Sequence, residues 1–262
     1  MESDDWKTEM FHSEADLFSK TLRSKPPSNA VDILLATLRQ RQSSQSRFTT
    51  LDLGCGTGRF ANQLSKHSSV VIGLDLSREL LSIASLGIAH LSNVIYINGD
   101  FQNIDSLFMP SSFDLIIRAY TSLGYFPYAV ELEILRKCHT VASPTAMIVL
   151  DTFNSAFFRS IGKLERQTAI ESNTPSVSLI ETYSWNESKN GIDCIWTYME
   201  DDVRTRKIEF FLDGYDRARV SHLLSLSGWV LLMSGCDFDR LSEHENSTLD
   251  AERLVVVASK AV

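Results

Sequence analysis

The stretch LDLGCGTGRF, Leu51 to Phe60, decides the reading of this chain. A short apolar run from Thr49 to Leu53 suits a buried β-strand; glycines follow at 54, 56 and 58, and a helical pattern begins at Arg59. Glycine has no Cβ and tolerates positive φ, so a strand ending on three of them turns sharply and lets a ligand approach the backbone. N–H groups at the start of the following helix favour a negatively charged group there. Spacing separates the ligand classes that use such a turn. A dinucleotide fingerprint is GxGxxG, whereas this loop is GxGxG with Asp52 two residues ahead, so the dinucleotide pattern fails.

The DxGxGxG form carried by Asp52, Gly54, Gly56 and Gly58 resembles the first motif of class I S-adenosylmethionine (SAM) dependent methyltransferases. The resemblance implies an α/β fold: a Rossmann-like, mostly parallel sheet with a C-terminal antiparallel hairpin. It also implies SAM as cofactor and S-adenosylhomocysteine (SAH) as product. Cys55 sits inside the loop and would contribute mainly its backbone.

Val70 to Leu76 reads as a second buried strand ending in Asp75, about 20 residues past the glycine loop. A carboxylate there is placed to accept from two ribose hydroxyls, or else to cap the helix beginning at Ser77. Leu76 and Leu80 offer an apolar surface to an adenine face. A third strand, Val94 to Ile97, leads to Asn98-Gly99-Asp100-Phe101. Asp100 and Phe101 resemble the family's adenine-contacting segment, and a plain Asn-Gly-Asp turn is the other reading.

The fourth strand, Phe113 to Arg118, runs into Tyr120, Ser122 and Tyr125. In an open α/β sheet ligands sit beyond the carboxyl ends of the strands, so this segment faces the reacting centre. It resembles the post-strand segment of small-molecule methyltransferases, including the aminosugar N-methyltransferases. The resemblance places Arg118 with the cofactor residues and Tyr120, Ser122 and Tyr125 at the acceptor. Tyrosines that only pack under a loop are the competing reading.

A helix over 129–141 and a fifth strand over 146–151 follow. The alternation then breaks: Val177 to Trp185, Ile192 to Glu200 and Arg206 to Leu212 are β-rich runs separated by polar turns, an antiparallel insertion after the fifth strand. It suits a substrate cap or a dimer interface equally. A helix from Tyr215 to Ser227, stopped by Gly228, precedes strands over 229–236 and 253–259. Expected units are therefore an N-terminal helical lid (1–47), a SAM-binding core (48–152), the insertion (153–213) and the rest of the core (214–262).

Ahead of the first strand, apolar spacing over 5–40, broken at Lys25-Pro26-Pro27, predicts two helices, and RQSSQS before Arg47 reads as a polar linker. In the resembled family such a segment covers the site, which makes Phe11, His12 and Phe18 lid residues and His12, with Tyr125, a catalytic candidate. A lone histidine on such a helix equally suits a surface role.

With 44% hydrophobic and 22% charged residues the composition is that of a globular protein. A formal charge of −8 argues against a general nucleic-acid binder and favours a small acceptor. No apolar run approaches the roughly 20 residues that span a bilayer, and the acidic start lacks a signal-peptide pattern, so no membrane and a cytoplasmic location are expected. The four cysteines form no metal-ligand spacing, so no metal is expected. The assembly expected is a monomer or homodimer. The expected activity is methyl transfer from SAM to an N, O or C nucleophile of a small molecule. The alternative is a SAM-binding protein with a regulatory or non-methylating role such as cyclisation.

Overall fold

The computed structural model describes residues 5–23, 47–88, 91–170, 176–236, 241 and 251–261. The expected second N-terminal helix and the linker after it, and most of the loop over 237–252, lie outside them. The first segment is helical apart from a turn at Glu14: α1 (Asp5–Thr8), a π-helical turn (Glu9–Ser13) and α2 (Ala15–Arg23).

The core alternates strand and helix in sequence: β1 (Phe48–Leu53), α3 (Arg59–Leu64), β2 (Ser68–Asp75), α4 (Arg78–Gly87) and β3 (Val94–Asn98). A 3₁₀ turn (Phe101–Asn103) and α5 (Ile104–Leu107) lead to β4 (Phe113–Arg118), α6 (Tyr128–Val141) and β5 (Ala142–Phe153). The chain closes with α8 (Arg217–Leu226), β10 (Trp229–Gly235) and β11 (Arg253–Lys260). These strands make one seven-stranded sheet in the order β10-β11-β5-β4-β1-β2-β3. The pairs among β1 to β5 are parallel, and β11 enters antiparallel between β5 and β10. The expected sheet is thus the observed one.

Every residue of β4 is buried, because helices cover both faces of a parallel sheet. Leu53, Ile116, Ile148 and Val256 pack against one helical layer through Ile134, Leu135 and Leu223, while Val71, Leu115 and Val149 meet Phe60 and Leu64 on the other.

Between β5 and α8 lies a four-stranded antiparallel sheet: β6 (Lys163–Ile170), β7 (Val177–Asn186), β8 (Gly191–Glu200) and β9 (Val203–Asp213). Three of its strands are legible as β-rich runs; β6 and the short helix before it, α7 (Ser155–Ile161), are not. The β8–β9 turn holds Asp201 and Asp202 at φ 47° and 64°, the left-handed pair that joins tight hairpins. Phe153, Phe158, Tyr183, Ile192 and Leu212 form a core between this sheet and the end of β5. Trp6, Phe11, Leu17 and Phe18 of the N-terminal helices pack on its other hydrophobic cluster, around Trp196 and Tyr198.

Candidate active site

The parallel strands end on one edge, and there the glycine loop, the segment after β4, the N-terminal helices and the antiparallel sheet enclose a cavity of ≈ 410 Å³. That size falls in the range of small-molecule sites. Asp52, Gly54, Cys55, Gly56, Asp75, Leu76, Leu80, Asp100 and Phe101 line it on one side; Tyr120, Ser122, Tyr125, His12, Phe11 and Phe18 line it elsewhere. Gly58 and Arg118 are not among the lining residues.

Burial and charge set the glycine-loop end. Gly56 has φ 53°, its N–H donates to Asp75 Oδ2 at 2.8 Å, and a Cβ built on it would meet open space. A side chain there would project into that open space. Gly58 serves the loop in another way. With φ 74°, a Cβ on it would stand 1.8 Å from the Tyr96 hydroxyl, so Tyr96 of β3 props the loop from beneath. Asp75 also accepts from Ser77 N–H through Oδ1 at 2.9 Å. Ser77 itself is the N-cap of α4, accepting from Leu80 N–H at 3.0 Å. The capping role open to Asp75 in the sequence therefore belongs to Ser77, and Asp75 ties the loop to the helix while facing the cavity.

Asp52 is buried beside it, and its Oδ2 has no hydrogen-bond partner among the described residues. Burial first, then the Asp75 charge, pushes the Asp52 carboxyl up to about 7. Burial also raises Asp75, against the pull of the Ser77 and Gly56 N–H groups. Asp100 starts the 3₁₀ turn by accepting from Gln102 N–H at 2.8 Å, so the turn role is real, and its side chain still borders the cavity.

Arg118 is fully buried and pairs through both terminal nitrogens with Glu131 of α6, Nη2 to Oε1 at 3.1 Å. Arg118 also donates to Ser122 O at 2.5 Å, and Glu131 Oε1 accepts from Gly124 N–H at 3.0 Å. This pair shapes the segment after β4 from behind. The segment is strained at its start: Tyr120 and Thr121 take φ 57° and 66°, a left-handed pair held by Asp151, which accepts the Tyr120 N–H at 2.9 Å. Non-glycine residues in that region mark sites where the surrounding structure over-determines the backbone. The Tyr120 ring meets Phe60 and the Arg59 guanidinium. Ser122 Oγ is buried with no partner among the described residues. Tyr125 stands edge-on to Trp6, ring centres 5.2 Å apart, and burial pushes its phenol above the ordinary range. At neutral pH it keeps its proton.

The N-terminal segment is fastened over this edge. Ser77 Oγ donates to Phe11 O at 2.6 Å, His12 Nδ1 lies 2.9 Å from Glu79 Oε2, and Trp6 stacks on Phe210 of β9 at 4.8 Å. His12 therefore has a carboxylate partner as well as a place on the cavity wall.

The antiparallel sheet supplies a wall that the sequence reading does not name: Arg166, Glu181, Tyr183, Trp196 and Phe210, with Arg253 of β11. One signal for it is present. Leu179, Glu181 and Tyr183 share a face by the two-residue period of a strand, and a charged residue on an inward face implies a buried partner.

Against known proteins, residues 50–145 match the family model described as a methyltransferase domain. A putative methyltransferase of Bacillus subtilis is 27% identical over 106 residues, 40% of this chain and 42% of that protein. A malonyl-[acyl-carrier protein] O-methyltransferase of Bacillus cereus is 28% identical over 131 residues, 49% of this chain and 46% of that protein. The matches thus span less than half the length of those two relatives. Solved structures match in fold over nearly the whole chain. A SAM-dependent methyltransferase from Clostridium acetobutylicum superposes with TM-score 0.73 at 15% identity, covering 95% of this chain and 98% of that one. The SAM-bound amino pentose methyltransferase of calicheamicin biosynthesis from Micromonospora echinaspora gives 0.68 at 15% identity, covering 94% and 97%. Residues 50–145 therefore match a methyltransferase-domain family, and the chain has the fold of the SAM-dependent methyltransferases.

Proposed function

We propose that this protein transfers the methyl group of SAM to a nitrogen, oxygen or carbon nucleophile of a small molecule and releases SAH. The observation that carries the reading is the glycine-loop end of the cavity, where the unpartnered, buried Oδ2 of Asp52 stands beside the Asp75 carboxylate and an open glycine cradle. A buried carboxylate oxygen with no partner is costly unless a ligand completes it. The group fits: Asp75 would take ribose hydroxyls on lone pairs left by Gly56 and Ser77, Asp100, Phe101, Leu76 and Leu80 would hold the base, and Gly54, Cys55 and Gly56 would supply backbone contacts.

When bound, SAM supplies a methyl group on a sulfonium, so the acceptor's lone pair forms the new bond while the carbon–sulfur pair stays on sulfur. The protein's part is alignment and exclusion of water. Tyr120, Ser122 and Tyr125 would orient the acceptor, with Arg118 and Glu131 holding their backbone in place. His12 and Tyr125 would direct the acceptor's proton, and Phe11 and Phe18 would shut out solvent. The reading takes the enzyme to be cytoplasmic and a monomer or homodimer; among the described residues no helix is long and apolar enough to cross a membrane.

Isothermal titration with SAM, SAH and NAD tests the reading. SAM and SAH should bind and NAD should not, and Asp75→Ala should weaken SAM by about 1.5 to 3 kcal/mol, the range for hydrogen bonds to a charged group. Binding of NAD without SAM would sink the proposal.

A further inference from the structure

The antiparallel sheet's contribution to the cavity is both charged and aromatic, and its charges are already answered. Arg166 of β6 donates through Nε to Glu181 Oε2 at 2.7 Å and through Nη2 to Glu181 Oε1 at 3.2 Å; its Nη1 meets both oxygens of Glu252, at 2.9 and 2.7 Å. One guanidinium thus stands between two carboxylates. Arg253 is paired in the same bidentate manner with Asp151, Nε to Oδ1 at 2.9 Å. The Tyr183 hydroxyl donates to Glu181 Oε1 at 2.7 Å and accepts from Trp196 Nε1–H at 3.1 Å. Between these groups the wall is ring surface from Phe18, Tyr125, Phe153, Trp196 and Phe210.

We infer that this wall is the acceptor subsite and that it selects an uncharged, flat, aromatic acceptor. This rests on the methyl-transfer reading, which puts the donor at the glycine-loop end. An anionic group would need a cation to meet it, but Arg166 and Arg253 are each held bidentately by carboxylates, and the Arg166 cluster carries a net charge of −1. A cationic acceptor would lie next to the donor's own sulfonium. The other cations on the cavity wall rest on ring faces: Arg59, from the helix after the glycine loop, lies over Tyr120 at 4.3 Å, and Lys7 lies over Phe126 at 4.0 Å and Trp6 at 5.6 Å. A polyol would find the polar atoms of Tyr183, Trp196 and Glu181 engaged with one another. On the sheet's side ring faces and edges remain, with Ser122 Oγ and the Tyr125 hydroxyl opposite to orient a single polar substituent, and aromatic pairs gain from offset and edge-on contact beyond their buried area.

The test uses the full-length protein saturated with SAH, with SAH binding measured first, because its failure would remove the methyl-transfer reading and not this one. Four probes are then titrated by calorimetry: 4-hydroxybenzamide, 4-hydroxybenzoate, 4-hydroxybenzylamine and methyl glucoside. The neutral benzamide should bind at least about tenfold tighter than the benzoate, the amine or the glucoside. Glu252→Gln, at the rim, and Glu181→Gln, inside the wall, should each narrow or reverse the gap between benzamide and benzoate by releasing Arg166 to an anion. A merely structural carboxylate would weaken all probes alike. If Glu181→Gln fails to fold, Glu252→Gln carries the same reading. Equal affinities, a preference for any of the other three probes, no binding of any probe to the SAH-loaded protein, or an unchanged gap in a folded variant overturns the inference.

Discussion

Asp52 shows how one residue ties stability to the site. Its carboxyl is pushed up to about 7, from an ordinary value of 3.8, by burial and by the Asp75 charge. Between those values the unfolded chain has lost the proton and the folded one still holds it. Folded protein therefore binds more protons, and stability falls as pH rises through that window, with no further loss from this group above it. Asp75, raised in the same direction, adds to the fall. Asp52→Asn removes the ionisation, so in thermal melts without ligand it should be more stable than the wild type at pH 8, by an amount of order a few kcal/mol, and less different at pH 5. Matching melting temperatures at both pH values would count against a burial-raised Asp52 carboxyl. Tyr125 is read differently, because its ring packs while its phenol stays protonated. Tyr125→Phe should leave SAM affinity level and lower turnover only if the hydroxyl orients the acceptor. Tyr125→Ala should cost about 1 to 3 kcal/mol by removing a partly buried ring packed on Trp6 and Phe11, read as a lower melting temperature. A silent Tyr125→Phe with a destabilised Tyr125→Ala removes the hydroxyl from the site.

Elements are legible in proportion to how regular their periodicity is. β1 to β5 each carry an apolar run, and their order and the glycine spacing make the sheet readable. β6 escapes because LERQTA alternates half-buried and exposed positions on an edge strand, so no apolar run marks it. Its Arg166 escapes with it, since the partners Glu181 and Glu252 are distant in sequence and only folding brings them together. The donor end, local to β1 and β2, is legible for the opposite reason. The N-terminal helices are the element with the sharpest test. They contribute no strand to the seven-stranded sheet, yet meet α4 through Ser77 and Glu79 and the antiparallel sheet through Trp6 and Arg206, whose guanidinium pairs with Glu14. Removal of residues 1–20 should leave a cooperative melt but abolish most turnover, since closure of such a segment excludes water and completes the site. Full turnover by the truncated protein would make the lid dispensable.

At the scale of the molecule, one strap touches both halves of the cavity. Phe11 and His12 sit against the start of α4 at the donor end, while Trp6 stacks on Phe210 and packs edge-on to Tyr125 at the acceptor end. A ligand that orders the strap at one end spares the other ligand that cost, so donor and acceptor should bind cooperatively, and the coupling must be equal in both directions. SAH at about 100 times its Kd should stabilise the fold by roughly 2.7 kcal/mol, a rise of about 5 to 10 °C in melting temperature for a chain of this size. The same SAH should tighten the aromatic probe by a factor of about 5 or more, within the usual span of coupling between sites. Trp6→Ala removes the stacking on Phe210 and the edge contact with Tyr125 from behind, Trp6 itself not lining the cavity. It should therefore leave each ligand's separate binding within a few-fold and bring the coupling close to zero. Titrating the probe into Trp6→Ala with and without SAH measures this directly; a coupling as large as the wild type's would show that the two halves communicate through the sheet and not through the strap.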